Sequence, residues 1–203
     1  VTLPNGISCY SAASSPERKL EALQPWLPSL KLSLARQSEA MDNVRVVKLE
    51  AEDLQIFKAI RLESLKMAPS AFANTFADWS SLSDEAWLDR MKIPVFAMLK
   101  GHEPVGIMGL MLQRGERRSH RATIIMVYLR ESERGSGLAN DLLQAVMSFA
   151  KEVGVRQLEL NVNHTNNRAI RFYERHGFEM VGKIPAALID DGHEVDELIM
   201  VHR

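Results

Sequence analysis

The chain is 203 residues long, 46% hydrophobic and 25% charged, which suits one ordinary globular domain with a full core; a second full domain is not expected. Its formal net charge of −1, with basic residues dispersed among acidic ones, supplies no electrostatic footprint for nucleic acid. The single cysteine, Cys9, cannot build a disulfide framework or a metal cluster, and a reducing, cytoplasmic setting is expected.

Residues 1–40 carry Pro4, Pro16, Pro25 and Pro28 among frequent serines, with no sustained hydrophobic period, which is the composition of an extension. One short helix is predicted from Pro16 to Gln24, with Ser14 and Glu17 spaced as a capping box. The domain proper is expected to begin at Met41, the first forty residues being an added or upstream-translated segment; alternatively Trp26, with Leu20, Leu23, Leu27 and Leu30, docks on the domain or at a dimer interface. The N-terminus lacks the basic start and apolar run of a secretory signal. The longest apolar runs, such as Ala122–Leu129, fall far short of the roughly 20 residues a membrane helix needs, so no membrane partner is expected.

From Val44 the elements come in mixed order. Val44 to Leu49 reads as a strand, and Ala51 to Met67 repeats apolar residues at Leu54, Phe57, Ile60, Leu62 and Leu65, close to a helical period. In the segment Pro69 to Trp79, the aromatic residues Phe72, Phe76 and Trp79 either wall a pocket in which Asp78 meets a cation, or form core beneath a long loop. Ser83 caps a helix running to about Lys92, with Asp84 and Glu85 suited to its dipole. Pro94 to Leu99 and Pro104 to Gln113 form a hairpin around Lys100 to Glu103. Ala122 to Arg130 is a third long strand whose near-continuous apolar character predicts burial on both faces. A helix follows over Gly137 to Glu152 with Leu138, Leu142, Val146, Phe149 and Val153 on one face, then a strand from Arg156 to Val162. Asn166 to His176 is the last helix, ended by Gly177 in a left-handed cap. Phe178 to Lys183 and Glu194 to Val201 pair across the turn at Asp190, Asp191 and Gly192. This is an α/β sheet with helices on both faces, containing one parallel, right-handed β-α-β unit. The six histidines, His102, His120, His164, His176, His193 and His202, show no metal-ligand spacing, and no metal is expected.

Arg134-Gly135-Ser136-Gly137-Leu138-Ala139 lies between the long apolar strand and the amphipathic helix. A glycine-bearing turn feeding a helix N-terminus presents several unpaired backbone amides to one point, backed by the helix dipole, and so predicts an anionic ligand. Gly135 and Gly137 suit it because a Cβ would obstruct a phosphate and penalise left-handed backbone angles. No G-x-x-x-x-G-K-S/T is present and the third glycine of a dinucleotide fingerprint is missing, which sets aside nucleoside triphosphatases and Rossmann dehydrogenases.

The second informative segment runs from Asn166, Asn167, Arg168 and Ala169 through Phe172, Tyr173 and His176 to Gly177 and Phe178. Together the two segments resemble the acetyl-CoA-binding core of the GNAT superfamily of N-acetyltransferases, whose pattern runs V-x-P-x-x-R-G-x-G-x-G/A and then N-x-x-A-x-x-x-Y-x-x-x-G-F. The likeness covers about Val44 to the C-terminus, and Pro69 to Thr75 is similar to the P-x-A-F-x-x-T loop of small bacterial members. It implies a mostly antiparallel mixed sheet with one parallel, splayed pair, and acetyl transfer from acetyl-CoA to a primary amine by direct attack in a ternary complex. A small molecule or amino acid is the first acceptor expected and a protein N-terminus or lysine the second. A non-catalytic acyl-CoA-binding domain is the rival reading, and homodimerisation is a family expectation.

Carried over by resemblance, Val127, Tyr128 and Leu129 contact the pantetheine and acetyl groups, with the amide of Tyr128 or Leu129 receiving the oxyanion. Arg134, Gly135, Ser136, Gly137, Leu138 and Ala139 carry the pyrophosphate. Tyr173 is the general acid for the leaving thiolate, and Asn166 reaches the pantetheine amides while capping its own helix. Two positions depart from the pattern: Leu129 stands for its valine and Glu131 for its proline, which bears on the rigidity of the turn. Arg168, Arg171 and Arg175 form a solvated basic face or meet the 3′-phosphoadenosine. For the general base, water relays compete with Glu159, Asp78, Asp196 and His120, while Phe72, Phe76, Asp78 and Glu159 are the candidate acceptor contacts. Cys9 lies in the extension, so a covalent cysteine route has no support.

Overall fold

The computed structural model of the chain describes residues 43–203. The helix expected over Pro16 to Gln24, the docking of Trp26 and its leucines, and Cys9 all lie outside the described residues. β1 (Val44–Lys48) leads through a short 3-10 turn into α1 (Leu54–Met67), followed by α2 (Phe76–Ser80) and α3 (Asp84–Arg90). Next come β2 (Val95–Lys100), β3 (Glu103–Leu112), β4 (Arg121–Leu129), α4 (Leu138–Glu152), β5 (Gln157–Asn163), α5 (Asn167–Arg175), β6 (Glu179–Asp190) and β7 (His193–His202). Among the described residues no helix is long and apolar enough to cross a membrane.

The caps act where the sequence puts them. Ser83 accepts from the Ala86 amide at the start of α3, Asn166 from the Ala169 amide at the start of α5, and Gly177 takes φ +80° after α5. Sequence reading misses α2, although its signal is present: the Thr75 hydroxyl accepts from the Asp78 amide while the Asp78 carboxylate accepts from the Thr75 amide.

Seven strands form one sheet in the order β1-β2-β3-β4-β5-β7-β6, antiparallel throughout except for β4 against β5. Two hydrophobic clusters sit on its two faces. One joins α4 and α5 through Leu142, Leu143, Val146 and Tyr173 to Phe96, Leu110 and Ile124; the other joins α1 to α3 through Phe57, Ile60, Trp79 and Trp87 to Ala97 and Ile107. Phe57, Trp79 and Trp87 meet edge to face with centroids 5.0–6.1 Å apart. Trp79 is therefore core, as one of the two readings of its segment has it.

Three expectations need correction. Full burial on both faces belongs to β2 and the middle of β3, whereas β4 alternates buried and half-buried side chains along its whole length. On α4 the buried face is Leu142, Leu143, Val146 and Ala150; Val153 is 45% exposed because it caps the helix, where the helical projection no longer applies. β6 runs on to Asp190, past a bulge between Ile184 and Leu188 held by Asp196, whose carboxylate accepts from the Ala186 amide and pairs with Lys183.

Arg61 is the outlier of the core. It is 2% exposed in the middle of α1, its guanidinium lies 4.6 Å from the ring centroids of both Phe72 and Trp79, and its Nε has no hydrogen-bond partner among the described residues. Burial lowers its pKa to about 10, so it stays charged at neutral pH. Arg61→Ala is expected to destabilise the fold by about 2–4 kcal/mol through the void left between the rings. Arg61→Met fills that space without a buried charge and is expected to be neutral or stabilising. Chemical denaturation of both variants checks the sign; a loss for Met equal to that for Ala would assign the stabilisation to the cation over the rings.

Candidate active site

The site begins where two parallel strands part. β4 and β5 pair only over Arg121–Thr123 against Gln157–Glu159. Beyond that point β4 keeps its β3 partner as far as Leu129, and β5 keeps β7 as far as Asn163, so a wedge opens between them. Within the wedge β4 carries a bulge: three steps from Ile125 to Tyr128 face two steps from Ile107 to Gly109, and Met126 takes φ +55°. The extra residue shifts the alternation by one. Ala122 and Ile124 pack on the α4 side, Met126 and Tyr128 on the α1 side, and Val127 is turned back toward α4.

The wedge continues into a cleft of about 800 Å³ lined by Val127, Tyr128 and Leu129 on one side and by Asn163, Thr165, Asn166, Phe172 and Tyr173 on the other. At one end lies the glycine turn. Gly135 and Gly137 have φ +89° and +96°, and a Cβ on either would meet nothing within 4 Å, so these positions favour glycine for backbone angle and for open approach. The amides of Gly135, Ser136, Gly137, Leu138 and Ala139 donate to no described group; helical bonding starts with the amides of Asn140 and Asp141, which both donate to the Gly137 carbonyl. Arg134 Nε donates to the Leu129 carbonyl at 3.1 Å and ties the turn to the end of β4. Where the family pattern has proline, a 3-10 turn is held by the Glu133 amide on the Arg130 carbonyl and the Arg134 amide on the Glu131 carbonyl.

Charge follows the same plan. Arg134, Arg168 and Arg175 line the cleft, whereas no aspartate or glutamate does so among the described residues. Arg171 is absent from that lining, so α5 turns two of its three arginines toward the cleft. His176, which sequence reading leaves as an ordinary histidine, also lines it; Nδ1 donates to the Phe172 carbonyl at 2.7 Å, and Nε2 lies 2.9 Å from Asn140 Oδ1, joining the end of α5 to the first turn of α4.

Tyr173 reaches the cleft from α5, 5% exposed and packed edge to face on Phe172 and Phe178. Its hydroxyl makes no hydrogen bond to a described residue, and burial holds its pKa well above the ordinary phenol range. The proton is therefore in place at neutral pH. Asn166 spends its Oδ1 on the Ala169 amide at 3.1 Å, which leaves its amide nitrogen for the cleft.

The remaining candidates are dispersed. Phe72 and Phe76 line a second cavity of about 520 Å³, with Leu65, Leu188 and Ile189, that meets the cleft at Pro69 and Ser70. Asp78 is exposed and occupied in its own helix cap, which holds its carboxyl below the usual range, and it lines neither cavity. Glu159 lies at the closed end of the β4–β5 pair, gripped by Arg121 and Gln157. His120 is at that end too, its carbonyl accepting from the Arg156 and Gln157 amides, and Asp196 is taken up at the β6 bulge. None of these three lines the cleft.

A sequence profile of the Acetyltransferase (GNAT) family matches residues 60–178. An uncharacterized N-acetyltransferase of Mycobacterium bovis is 31% identical over 136 residues, 66% of this chain and 83% of its own length. The L-methionine sulfoximine/L-methionine sulfone acetyltransferase of Pseudomonas aeruginosa is 28% identical over 124 residues, 57% of this chain and 72% of that one. Among solved structures, a GNAT-family acetyltransferase from Streptococcus pneumoniae superposes with a TM-score of 0.68 at 18% identity, over 78% of this chain and 98% of its own. YncA from Salmonella typhimurium, solved with its cofactor acetyl-CoA, gives 0.68 at 17% identity over 79% and 94%.

Proposed function

The chain belongs to the acetyltransferase (GNAT) family and is an N-acetyltransferase; from that premise we propose that it transfers acetyl from acetyl-CoA to the primary amine of a small molecule or amino acid, by direct attack within a ternary complex. The observation that carries this reading is the run of five amides, Gly135 to Ala139, that donate to no described group, beside a cleft that Tyr173 also lines and that no carboxylate lines among the described residues. Those amides and Arg134 would hold the pyrophosphate, and the β4–β5 wedge would take the pantetheine arm.

The thioester carbonyl then lies along Val127 to Leu129, where a backbone amide receives the charge of the tetrahedral intermediate. The amine nitrogen forms the new bond to carbon and loses a proton to water, since no carboxylate lines the cleft among the described residues. As the C–S bond breaks, Tyr173 passes its proton to the leaving thiolate and regains one from solvent. The second cavity, walled by Leu65, Phe72, Phe76, Leu188 and Ile189 with Asp190 at its edge, suits an acceptor with an apolar body of modest size. The reading includes a cytoplasmic setting and a catalytic domain over residues 41–203.

An amine panel with acetyl-CoA, read by release of the free thiol, tests the acceptor. Because one relative is named for L-methionine sulfoximine and L-methionine sulfone, the panel starts with those two and with phenethylamine, beside spermidine and a peptide bearing a free N-terminus. Turnover of the apolar-bodied amines at least about tenfold above spermidine and the peptide is expected. Preference for the peptide would move the acceptor to protein.

A further inference from the structure

The far end of β4 is supported by a strand on one side only. From Ile124 onward it has no β5 partner, and it carries the bulge at Met126. Its tip is held to the rest of the molecule by the β3 ladder at Ile107–Tyr128 and Gly106–Leu129, the Arg130 amide on the Val105 carbonyl at 2.8 Å, Arg134 Nε on the Leu129 carbonyl at 3.1 Å, and a side-chain cluster centred on Glu63 of α1.

That cluster reaches into the site from outside the cleft. Glu63 Oε1 accepts from the Tyr128 hydroxyl at 3.1 Å and from Arg130 Nε at 2.9 Å, while Oε2 accepts from a terminal Arg130 nitrogen at 2.7 Å. The other terminal nitrogen of Arg130 donates to Glu103 at 2.7 Å, which fixes the guanidinium plane. Tyr128 is 5% exposed, and the Glu63 and Arg130 side chains are about three-quarters buried, at 27% and 29% exposure. Bidentate geometry with a third, buried donor separates this group from an ordinary surface ion pair. The Arg130 guanidinium holds the Glu63 carboxyl below the usual range, so the bridge is intact at neutral pH and is lost only as acid protonates Glu63.

We propose that Glu63 is a positioning residue for acetyl transfer: by gripping Tyr128 and Arg130 together, it fixes to α1 the stretch of β4 that β5 no longer supports, and so sets where the amide of Tyr128 or Leu129 meets the thioester oxygen. The proposal rests on the acetyl-transfer reading above. It asks the bridge to prevent a displacement of the order of 1 Å, which near reacting atoms costs about 10²-fold in rate.

Glu63→Gln keeps the shape and an acceptor for Tyr128 but removes the charge facing Arg130. With the fastest amine of the panel, kcat is expected to fall about 10- to 100-fold, while the calorimetric Kd for acetyl-CoA stays within about threefold because the pyrophosphate cradle is elsewhere. Arg130→Gln should give the same loss, and the double variant should fall no further than either single one. Amide hydrogen exchange of the unliganded protein should be faster at Tyr128–Arg130 in Glu63→Gln and unchanged at Arg121–Thr123. An unchanged kcat, with or without a lower melting temperature, overturns the proposal, and so does a loss of kcat without faster exchange at the tip. Failure of the native chain to bind acetyl-CoA would instead overturn the acetyl-transfer reading itself.

Discussion

Gly135→Asp is expected to raise the Kd for acetyl-CoA at least about 100-fold, or roughly 2.7 kcal/mol, in a protein that still folds. Gly135 stands at φ +89° at the start of the run of amides that donate to no described group, and a Cβ there meets no described atom within 4 Å. Two effects combine. An L-residue at that angle adds strain on the order of 1–3 kcal/mol, and a carboxylate placed among the amides repels the phosphates they would bind. Gly135→Ala separates the two, since it carries the strain without the charge; its Kd is expected to rise no more than about tenfold. The gap between the two variants should narrow with added salt, because the charge term is screened over about 10 Å at 0.1 M ionic strength. Calorimetric titration at two salt concentrations measures all of this, and an Asp variant that binds like the native chain would remove the turn from the cofactor site.

Tyr173→Phe is expected to lower kcat by about 10²- to 10³-fold, within the range for loss of a general acid, with the Kd for acetyl-CoA changed less than about threefold. Stability should be unchanged or slightly higher, because the hydroxyl is buried and makes no hydrogen bond to a described residue, so its removal leaves no partner stranded. The pH profile gives a second check. Burial raises the pKa of Tyr173, so its acid form is fully present below the ordinary phenol value of about 10 and is lost only above it. The native enzyme should therefore gain activity with rising pH as the acceptor amine deprotonates, with no descending limb up to about pH 10. A descending limb near neutrality, or a Phe variant as fast as the native chain, would place the proton donor elsewhere.

The placement of those residues, in the turn and at the cleft, was legible because it rests on backbone-forming positions. Glycines between an apolar strand and an amphipathic helix, an asparagine cap, and a tyrosine two turns along the same helix are local patterns, and local patterns survive translation into structure. The bulge at Met126 was not legible: the run from Ala122 to Leu129 is apolar on both sides of it, and a one-residue slip leaves no trace in a uniform stretch. Arg61 was hidden for the opposite reason, since a charged residue on a helix reads as solvent-facing until two aromatic rings close over it. The carboxylates failed as a class. Asp78, Glu159 and Asp196 look alike in sequence whether free or occupied, and here each is occupied, by a helix cap, by Arg121 and by a strand bulge. Glu63, which does reach the site, does so through Tyr128 and Arg130, residues more than sixty positions away, and no spacing rule links them.

The partition of the hydrophobic core bears on how this enzyme can change. The helix behind the glycine turn belongs to the cluster on one face of the sheet, while Leu65 and Phe72, which wall the second cavity, belong to the opposite one. The buried strand β2 and the buried middle of β3 separate the two clusters, although the two cavities meet at Pro69 and Ser70. Substitutions that reshape the acceptor side should combine additively with those on the coenzyme side, within about 0.5 kcal/mol for well-separated pairs. A lineage, or a directed-evolution campaign, can exchange one nucleophile for another here without relearning how to hold the acyl donor.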